Sequence, residues 1–269
     1  MRPLLDPDLI PHPFGLAEDH PAVDGELHQH GRPQLLYAVE GSLRLIAADR
    51  LALLPPQRAA WIPAGLPHRV VASQPFRLRT VYFLPEAEPT ALRVMEAPPL
   101  LREMAAQAGA WGPEPPDRPE VAPFFRALRA LVEAWAAADL PLTLPAAQTP
   151  ALRRALEGAL ARLDRPLPLP QVARAAGLSV RSLQRRALDE LGMPLQRWWV
   201  RARMLRATEL LAQPQHSIGD VAFLCGYQGP AAFARVFHQL FGCAPSAWRR
   251  FDESGQILAG KIGKDRGSR

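Results

Sequence analysis

The chain has 269 residues, 48% of them apolar, an ordinary globular composition with room for two domains. No apolar run is long enough to cross a bilayer, since residues 127–144, the best candidate, contain three charges. The two cysteines, Cys225 and Cys243, form no CxxC pair, which excludes a zinc-finger spacing. The N-terminus also lacks the pattern of a secretory signal. We therefore expect a cytoplasmic protein with no membrane partner.

The net charge of +6 is concentrated in the C-terminal part of the chain. From residue 166 onward there are 15 lysines and arginines against 7 aspartates and glutamates, whereas the first 165 residues carry a small negative excess. Such an asymmetry indicates a polyanionic partner, such as nucleic acid, for the C-terminal part. A general bias of the sequence toward arginine explains the same excess, so the charge alone decides nothing.

The N-terminal part of the chain is rich in short β-prone segments. A proline-rich stretch at 1–26 comes first and predicts an irregular arm. Five segments separated by turn signals then follow within 34–84: QLLYAVEG, SLRLIAA, RAAWIPAG, HRVVA and FRLRTVYFLP. Short strands at this spacing predict a sandwich or a barrel.

Two motifs in this region, GELHQHGRPQLLYAVEG (25–41) and PAGLPH (63–68), carry three histidines and resemble the two motifs of cupin barrels. His28 and His30 fit the first motif and His68 fits the second, while Gln34 replaces the usual glutamate. Alternation along a strand puts His28 and His30 on one face. Together with His68, three imidazoles would suit a transition metal such as zinc, nickel or iron. Because the carboxylate is missing, a metal-free pocket lined by these histidines stays an alternative.

The apolar spacing becomes helical from about Pro89. Apolar residues then recur at i, i+3 and i+4, the period of an amphipathic helix. The predicted segments are helices at 91–108, 123–138 and 150–163, a linker at 139–149, and an entirely helical region from there to about Phe251. The tail at 252–269 is basic and rich in glycine, and we expect it to be disordered.

Two segments in the helical region, 169–192 and 217–242, repeat one pattern about fifty residues apart. In the first copy, Pro170–Ala176 predicts a short helix that Gly177 ends. Ser179 then caps a second helix by accepting a free backbone N–H. This helix stops at Gly192. Leu183 faces the core, and the polar residues on the opposite face are Arg181, Gln184 and Arg185.

The second copy begins with a capping box formed by Ser217 and Asp220. Gly226 ends its first helix, and the second helix turns three phenylalanines, Phe233, Phe237 and Phe241, inward with Arg235 pointing outward. Two helices joined by a tight turn are typical of the helix-turn-helix motif. The second helix of that motif enters the major groove, where arginine and glutamine are the expected readers of guanine and adenine.

The segment 169–250 resembles the DNA-binding domain of the AraC/XylS family of bacterial transcription regulators. The matching residues are Ala173, Gly177, Ser179, Leu183, Arg185, Gly192, Arg203, Ala207, Leu210, Leu211, Ile218, Val221, Ala222, Gly226, Tyr227, Phe233, Arg235, Phe237, Gly242, Pro245 and Arg249. The resemblance implies a linking helix at about 194–212, roughly 27 Å long, between the two units. It would place two recognition helices in successive major grooves, about 34 Å apart.

The resemblance also implies which residues contact double-stranded DNA. They are Ser179, Arg181, Ser182, Gln184 and Arg185 in the first unit, and Gln228, Gly229, Pro230, Ala231 and Arg235 in the second. The second recognition helix departs from the family, because proline and alanines stand where it usually offers polar side chains. We therefore expect strong base readout by the first unit only, with Arg235 contacting a phosphate.

QLLYAVEG and RAAWIPAG further resemble AraC-like regulators that have cupin sensing domains. This makes Gln34, Tyr37 and Trp61, together with the three histidines, candidates for contact with an effector, although Gln34, Tyr37 and Trp61 fit equally well as barrel core. The effector would be a small molecule or a metal. RNA polymerase is an expected partner if the protein activates transcription. The oligomeric state stays open, with a homodimer among the options.

The sequence thus predicts an α+β protein in which a cupin-like β-barrel precedes an all-α domain with two helix-turn-helix units. The boundaries are a sensing domain at 1–88, a helical bridging region at 89–149, a DNA-binding domain at 150–251 and the tail. We expect a transcription regulator with no catalytic residues. Two alternatives stay open: a cupin-type metalloenzyme (a dioxygenase or isomerase) with an appended helical domain, and an effector-independent regulator whose barrel serves only dimerisation.

Overall fold

A computed structural model describes residues 5–47, 50–86, 91–137, 141–160 and 162–254, with side chains to Arg249. It divides into two compact units, Met1–Thr143 and Leu144–Arg269. Most of the tail predicted to be disordered lies outside the described residues. None of the helices in the described ranges has the length and apolar character that a bilayer crossing requires.

In the described residues, the N-terminal compact unit combines two antiparallel sheets with two α-helices, and the last strand begins at the unit's final residue, Thr143. The strands are β1 (Phe14–His20), β2 (Val23–Asp24), β3 (Gln34–Glu40), β4 (Leu43–Ala47), β5 (Arg50–Leu54), β6 (Arg58–Ile62), β7 (His68–Ala72), β8 (Phe76–Tyr82), β9 (Arg93–Glu96) and β10 (Thr143–Pro145), and the helices are α1 (Pro99–Trp111) and α2 (Val121–Ala136). One sheet has the order β1-β8-β3-β6-β9 and the other β10-β5-β4-β7-β2. The predicted cupin-like barrel is confirmed.

The proline-rich arm is not irregular throughout, so this prediction is wrong in part. Strand β1 pairs with β8 along its whole length, from Phe14 opposite Tyr82 to His20 opposite Phe76. The segment FGLAEDH contains no proline itself, and every backbone N–H in it is free to join the ladder. Phe14 is fully buried, which anchors the strand at the edge of the sheet.

The helix predicted at 91–108 is also only partly correct, because its first residues form a strand. Strand β9 pairs with β6, with Arg93 opposite Trp61 and Glu96 opposite Arg58. Helix α1 begins only at Pro99, since a residue that precedes proline disfavours the helical backbone. The proline pair at 98–99 therefore prevents the helix from extending back over 91–97, although the apolar spacing there is helical.

Helices α1 and α2 pack on the outer face of the β1-β8-β3-β6-β9 sheet. One apolar cluster joins side chains of β3, β6 and β8, such as Leu35, Trp61 and Val81, to Leu101 of α1 and Leu128 of α2. Both helices lie within the first compact unit. The boundary between the two compact units lies at residues 143–144.

The second unit is all helical beyond the end of β10. Its helices are α3 (Pro150–Leu160), α4 (Leu169–Ala175), α5 (Val180–Leu191), α6 (Leu195–Leu211), α7 (Ile218–Leu224), α8 (Pro230–Phe241) and α9 (Pro245–Ser254). Helices α4–α5 and α7–α8 are the two predicted helix-turn-helix units, and α6 links them. The 17 residues of α6 span about 26 Å. This helix has buried residues on several sides, as expected for an element that packs against both helix-turn-helix units.

Candidate functional site

The first recognition helix, α5, is fixed by its ends and by one buried stripe. The Ser179 hydroxyl accepts a hydrogen bond from the Ser182 backbone N–H at 3.1 Å, as the sequence predicts for an N-cap. Gly192 ends the helix in the left-handed conformation. Leu183, together with Ala187 and Leu191 one and two turns later, is buried against the rest of the unit. One face is therefore held rigidly, and the opposite face is free for a partner.

The free face of α5 presents the predicted reading residues together. Arg181, Gln184 and Arg185 are all exposed, and with Ser182 they line an open cavity of about 440 Å³. Within the described part of the chain, neither Arg181 nor Arg185 forms an ion pair or a hydrogen bond. The guanidinium groups are therefore free to contact base edges or phosphates.

Two exposed side chains on α5 clarify where this face ends. Leu188 completes the lining of the cavity and is 53% exposed. Sequence reasoning missed it, although its spacing of i+3 from Arg185 and i+4 from Gln184 was a sufficient signal. Arg186 points elsewhere, with its Nε atom 3.9 Å from the Glu190 carboxylate. The Glu190 carboxylate accepts hydrogen bonds from the Gln148 and Thr149 backbone N–H groups just before α3.

The second recognition helix, α8, has the same internal support. The capping box of Ser217 and Asp220 is present at the start of α7. Phe233, Phe237 and Phe241 form the buried stripe of α8, and neighbouring rings in it lie 4.6–5.6 Å apart. Such aromatic contacts add to the stability that burial of the rings provides.

The outer face of α8 differs from that of α5. Pro230 lies in the first turn, where its missing N–H costs nothing, and Gly229 is the N-cap residue. Gln228, Ala231 and Arg235 are exposed, so Arg235 is the one predicted contact on α8 with a charge. Two further exposed side chains one turn beyond it, His238 and Gln239, were missed by the sequence analysis although they follow Arg235 at i+3 and i+4.

In the N-terminal compact unit, the structure brings His28, His30 and His68 together. Their ring centroids lie 4.5–6.2 Å apart, and one nitrogen of each ring lies within 4.8 Å of those of the other two. His28 does not lie in a regular strand as predicted. It forms an isolated bridge to His68 at the start of β7, through hydrogen bonds of 2.9 and 3.0 Å. His30 follows in the loop before β3.

Backbone carbonyl groups fix the orientation of all three rings. The Nδ1 atoms of His28, His30 and His68 lie 3.0, 2.7 and 2.9 Å from the carbonyl oxygens of Glu26, Arg32 and Leu66, respectively. A carbonyl oxygen only accepts, so each neutral ring carries its proton on Nδ1 and has a lone pair on Nε2. Metal-binding histidines in proteins are held in this way.

Burial favours the neutral form of the two inner histidines. It lowers the pKa of His68 to about 4 and also lowers the pKa of His30, because a charged ring loses its hydration there. Both rings are therefore uncharged near neutral pH, the form that ligates a metal. His28 is only partly buried, so the cluster has one side open to solvent.

Gln34 joins this cluster, as predicted, and Tyr82 is an unpredicted member. The Gln34 Oε1 atom lies 3.2 Å from His30 Nε2, and the Gln34 amide donates to the Tyr82 hydroxyl at 3.2 Å. Two lone pairs that face each other need a proton or a cation between them, unless the amide has the opposite orientation. Tyr82 was missed because only the pairing of β3 with β8 places it opposite Gln34. Burial raises its pKa, so its hydroxyl stays protonated.

The structure does not bring Tyr37 and Trp61 to the histidine cluster. Both are buried in the apolar cluster beneath α1 and α2, on the face of the sheet opposite to Gln34. Tyr37 lies three positions after Gln34 on β3, and an odd spacing along a strand places side chains on opposite faces. Trp61 pairs with Leu35 and shares that face.

Residues 8–12 near the N-terminus hold the loop that carries His30. The Asp8 carboxylate accepts hydrogen bonds from the Gly31 backbone N–H at 2.8 and 2.9 Å. The buried Arg32 guanidinium donates to the carbonyl oxygens of Ile10 and His12. These contacts fix the loop immediately after His30, and sequence analysis had no signal for them because they join residues about twenty positions apart.

Comparison with known proteins gives matches to both the N-terminal and the C-terminal parts of the chain. Residues 11–146 match the family of AraC-like ligand-binding domains, and residues 172–250 match a helix-turn-helix domain family. The chain is 26% identical over 228 residues to the transcriptional regulator NimR of Escherichia coli K12, covering 82% of this chain and 81% of NimR. It is 36% identical over 112 residues to the transcriptional activator RhaR of Pectobacterium atrosepticum, covering 42% of this chain and only 38% of RhaR.

Solved structures show similarity to both units. The DNA-binding domain of AdpA, in complex with a target DNA, is 27% identical, with a TM-score of 0.37, over 40% of this chain and all of that domain. ToxT of Vibrio cholerae, bound to an unsaturated fatty acid, is 12% identical, with a TM-score of 0.39, over 92% of this chain and 98% of ToxT.

Proposed function

Because the chain belongs to the AraC family of DNA-binding transcription regulators, with a ligand-binding domain before its helix-turn-helix domain, we propose that it reads its operator chiefly through α5. The carrying observation is the exposed face with Arg181, Gln184 and Arg185, whose guanidinium and amide groups match the donors and acceptors of base edges. Ser179 and Ser182 flank this face at the N-terminus of α5. Backbone N–H groups at such a terminus are suited to contact a phosphate.

The α8 helix supplies the second contact in this proposal. Gln228, Gly229, Pro230 and Ala231 let the backbone approach DNA closely, and Arg235 holds a phosphate. A helix with so few polar side chains near its N-terminus contributes affinity more than sequence preference. Operators should therefore show strong base preferences under α5 and weak ones, or preferences set by DNA shape, under α8.

The experiment is selection of bound duplexes from a random pool by the full-length protein, repeated with Arg185→Ala. The variant should lose base preference at defined positions, by about 1–3 kcal/mol of discrimination for a bidentate contact. Arg186→Ala is the matched control, since it removes the same charge from the same helix but from a side chain directed at Glu190. A motif unchanged in Arg185→Ala, or one dominated by the α8 half-site, would refute this assignment.

We further propose that the ligand-binding domain binds a transition metal, such as zinc, nickel or iron, through His28, His30 and His68. The supporting observation is the convergence of three imidazoles whose Nδ1–H groups are all held by carbonyl oxygens. The Gln34 oxygen beside His30 fits a fourth, weaker ligand. A bound metal would supply a positive charge that links the His28–His30 loop to β7. A small molecule held by the same histidines is the alternative.

Metal analysis of purified protein tests this second proposal. About one transition metal per chain is expected after incubation with Zn²⁺ or Ni²⁺ and desalting, and His30→Ala should abolish it. His12→Ala is the control, because this histidine contacts the Pro13 carbonyl and lies outside the cluster. Gln34→Glu should tighten binding by restoring a carboxylate ligand. Protein that stays metal-free in all these conditions would leave the histidines as pocket lining.

The remaining features of the proposal follow from DNA binding. A regulator of this kind acts where chromosomal DNA lies, so we place it in the cytoplasm, with RNA polymerase as the partner if it activates transcription. Homologous regulators of this family are not usually enzymes, and we propose no turnover at the histidine cluster. Sedimentation of the full chain with and without metal would show whether the barrel forms a homodimer.

A further inference from the structure

The linking helix α6 carries one arginine whose surroundings differ from those of its exposed neighbour Arg197. The Arg203 guanidinium is partly buried and donates through Nε to the Leu163 carbonyl oxygen at 2.9 Å and through Nη2 to the Arg165 carbonyl oxygen. Leu163 and Arg165 lie in the loop that leads into α4. Arg203 therefore holds the entry to the first helix-turn-helix unit by two hydrogen bonds.

The same guanidinium also contacts the turn of the second unit. Its carbon lies 5.7 Å from the centroid of the Tyr227 ring, a distance typical of a cation–π contact. Gly226, in the left-handed conformation at that turn, has no room for a side chain. A Cβ atom there would overlap the Arg203 guanidinium and would lie 2.8 Å from the Asp164 carbonyl oxygen. The α7–α8 turn thus packs directly on Arg203 and on the loop before α4.

We propose that Arg203 is a positioning residue that holds the α7–α8 turn of the second unit against the 163–165 loop of the first unit, and so sets the separation of α5 and α8. This inference rests on the proposed two-helix contact with DNA. Only arginine meets the geometry, because its planar fork reaches two carbonyl oxygens while one face lies on an aromatic ring. Lysine keeps the charge but offers neither the fork nor the flat surface.

The first measurement is the distance between the two recognition helices in the free full-length protein. Spin labels at Asp189→Cys and Gln239→Cys, two exposed positions, report it, with Cys243→Ser to remove the partly exposed native thiol. A single narrow distance distribution is expected, and Arg203→Lys should broaden or shift it. Arg197→Ala, which removes an exposed charge from the same helix, should leave it unchanged.

The second measurement compares two duplexes, one covering both contact sites and one truncated to the α5 half-site. Arg203→Lys should weaken binding to the long duplex about tenfold while binding to the short duplex stays at the wild-type value. The salt dependence of binding should not change, because the proposed role includes no phosphate contact. Tyr227→Leu, which removes the aromatic ring 5.7 Å from the guanidinium but keeps an apolar side chain against Phe233, should cause a smaller loss in the same direction and serves if Arg203→Lys is poorly folded.

Each outcome decides between distinct explanations. Equal losses on both duplexes, with a salt slope reduced by about one, would assign Arg203 to a phosphate and overturn the inference. A distance distribution that is unchanged in both Arg203→Lys and Tyr227→Leu would overturn it as well. If the wild-type protein itself binds no selected duplex, the proposed function fails. If the wild type binds and the variants match it, only the positioning role fails.

Discussion

The two helix-turn-helix units share one internal framework and differ on the surface they expose. In the two recognition helices the equivalent positions are fifty residues apart, so that Leu183 corresponds to Phe233, Ala187 to Phe237, and Gly192 to Gly242. All these residues are buried or end the helix in the left-handed conformation. On the exposed face Arg185 corresponds to Arg235, but Arg181 and Gln184 correspond to alanines.

The difference shows that folding and recognition use opposite sides of the same helix. The buried side must fill a fixed space, so its residues stay apolar in both units. The exposed side makes no contacts that the fold needs, so it is free to differ. The second turn is also one residue longer. Only Leu178 lies between the left-handed Gly177 and the N-cap Ser179, whereas Tyr227 and Gln228 lie between Gly226 and the N-cap Gly229. An additional residue is tolerated there since turns lie on the surface.

The largest expected effect concerns the shared framework. Phe237→Ala should destabilise the protein by about 3–5 kcal/mol and Leu183→Ala by about 2–5 kcal/mol, because each leaves a cavity in a packed stripe. Urea unfolding followed by circular dichroism measures both. Leu188→Ala, at an exposed position of α5, should change stability by no more than about 0.5 kcal/mol. A cost below about 1 kcal/mol for either buried residue would contradict the common framework.

The next prediction removes the difference between the two exposed faces. Ala231→Arg combined with Ala234→Gln gives α8 the residues that α5 has at equivalent positions. Sequences selected by this variant should gain base preferences in the second half-site, by about 1–3 kcal/mol for each bidentate contact. The wild-type protein selected in parallel is the control. If the second half-site stays unspecific, the side chains of α8 do not reach the base edges.

The N-caps of α5 and α7 allow a smaller comparison. Ser179→Ala and Ser217→Ala should each cost about 1 kcal/mol of stability, since a backbone N–H loses its acceptor. Ser217→Ala should cost less than Ser179→Ala, because the Asp220 carboxylate of its capping box still accepts a hydrogen bond from the backbone N–H of residue 217. Thermal unfolding of the two variants with Ser182→Ala as reference gives the ranking, and a reversed ranking would show that the reciprocal bond adds nothing.

The smallest expected effect separates the two arginines at equivalent positions. Arg235→Ala should weaken binding to all selected duplexes alike and reduce the salt slope by about 0.9, as loss of one phosphate contact does. Arg185→Ala should weaken binding only to duplexes that carry its preferred bases. Titrations at several salt concentrations with one selected and one scrambled duplex make the distinction. Base-specific loss in Arg235→Ala would place α8 deeper in the groove than we propose.

The histidine cluster shows where sequence reasoning ends. The resemblance to cupin motifs predicted that His28, His30 and His68 converge, and the structure brings Gln34 to the same cluster. Tyr82 required the register of two strands that are distant in the sequence. For Tyr37 and Trp61 the sequence left both the pocket and the apolar core open, and strand alternation from Gln34 already favoured the core face for Tyr37. The position of Tyr37 was therefore predictable from the sequence, whereas that of Tyr82 was not.

By itself the sequence determined the features that depend on neighbours within a few positions: the caps at Ser179 and Ser217, the phenylalanine stripe of α8, and the order of barrel and helices. These follow from hydrogen bonds and packing at spacings of two to four residues, which any reader of the sequence can count. Only the tertiary structure decided that 93–96 form a strand, that Asp8 fixes the loop of His30, and that Arg203 contacts both helix-turn-helix units. Each of these depends on residues from about twenty to forty positions apart, and the folded chain alone specifies which of many such pairs meet.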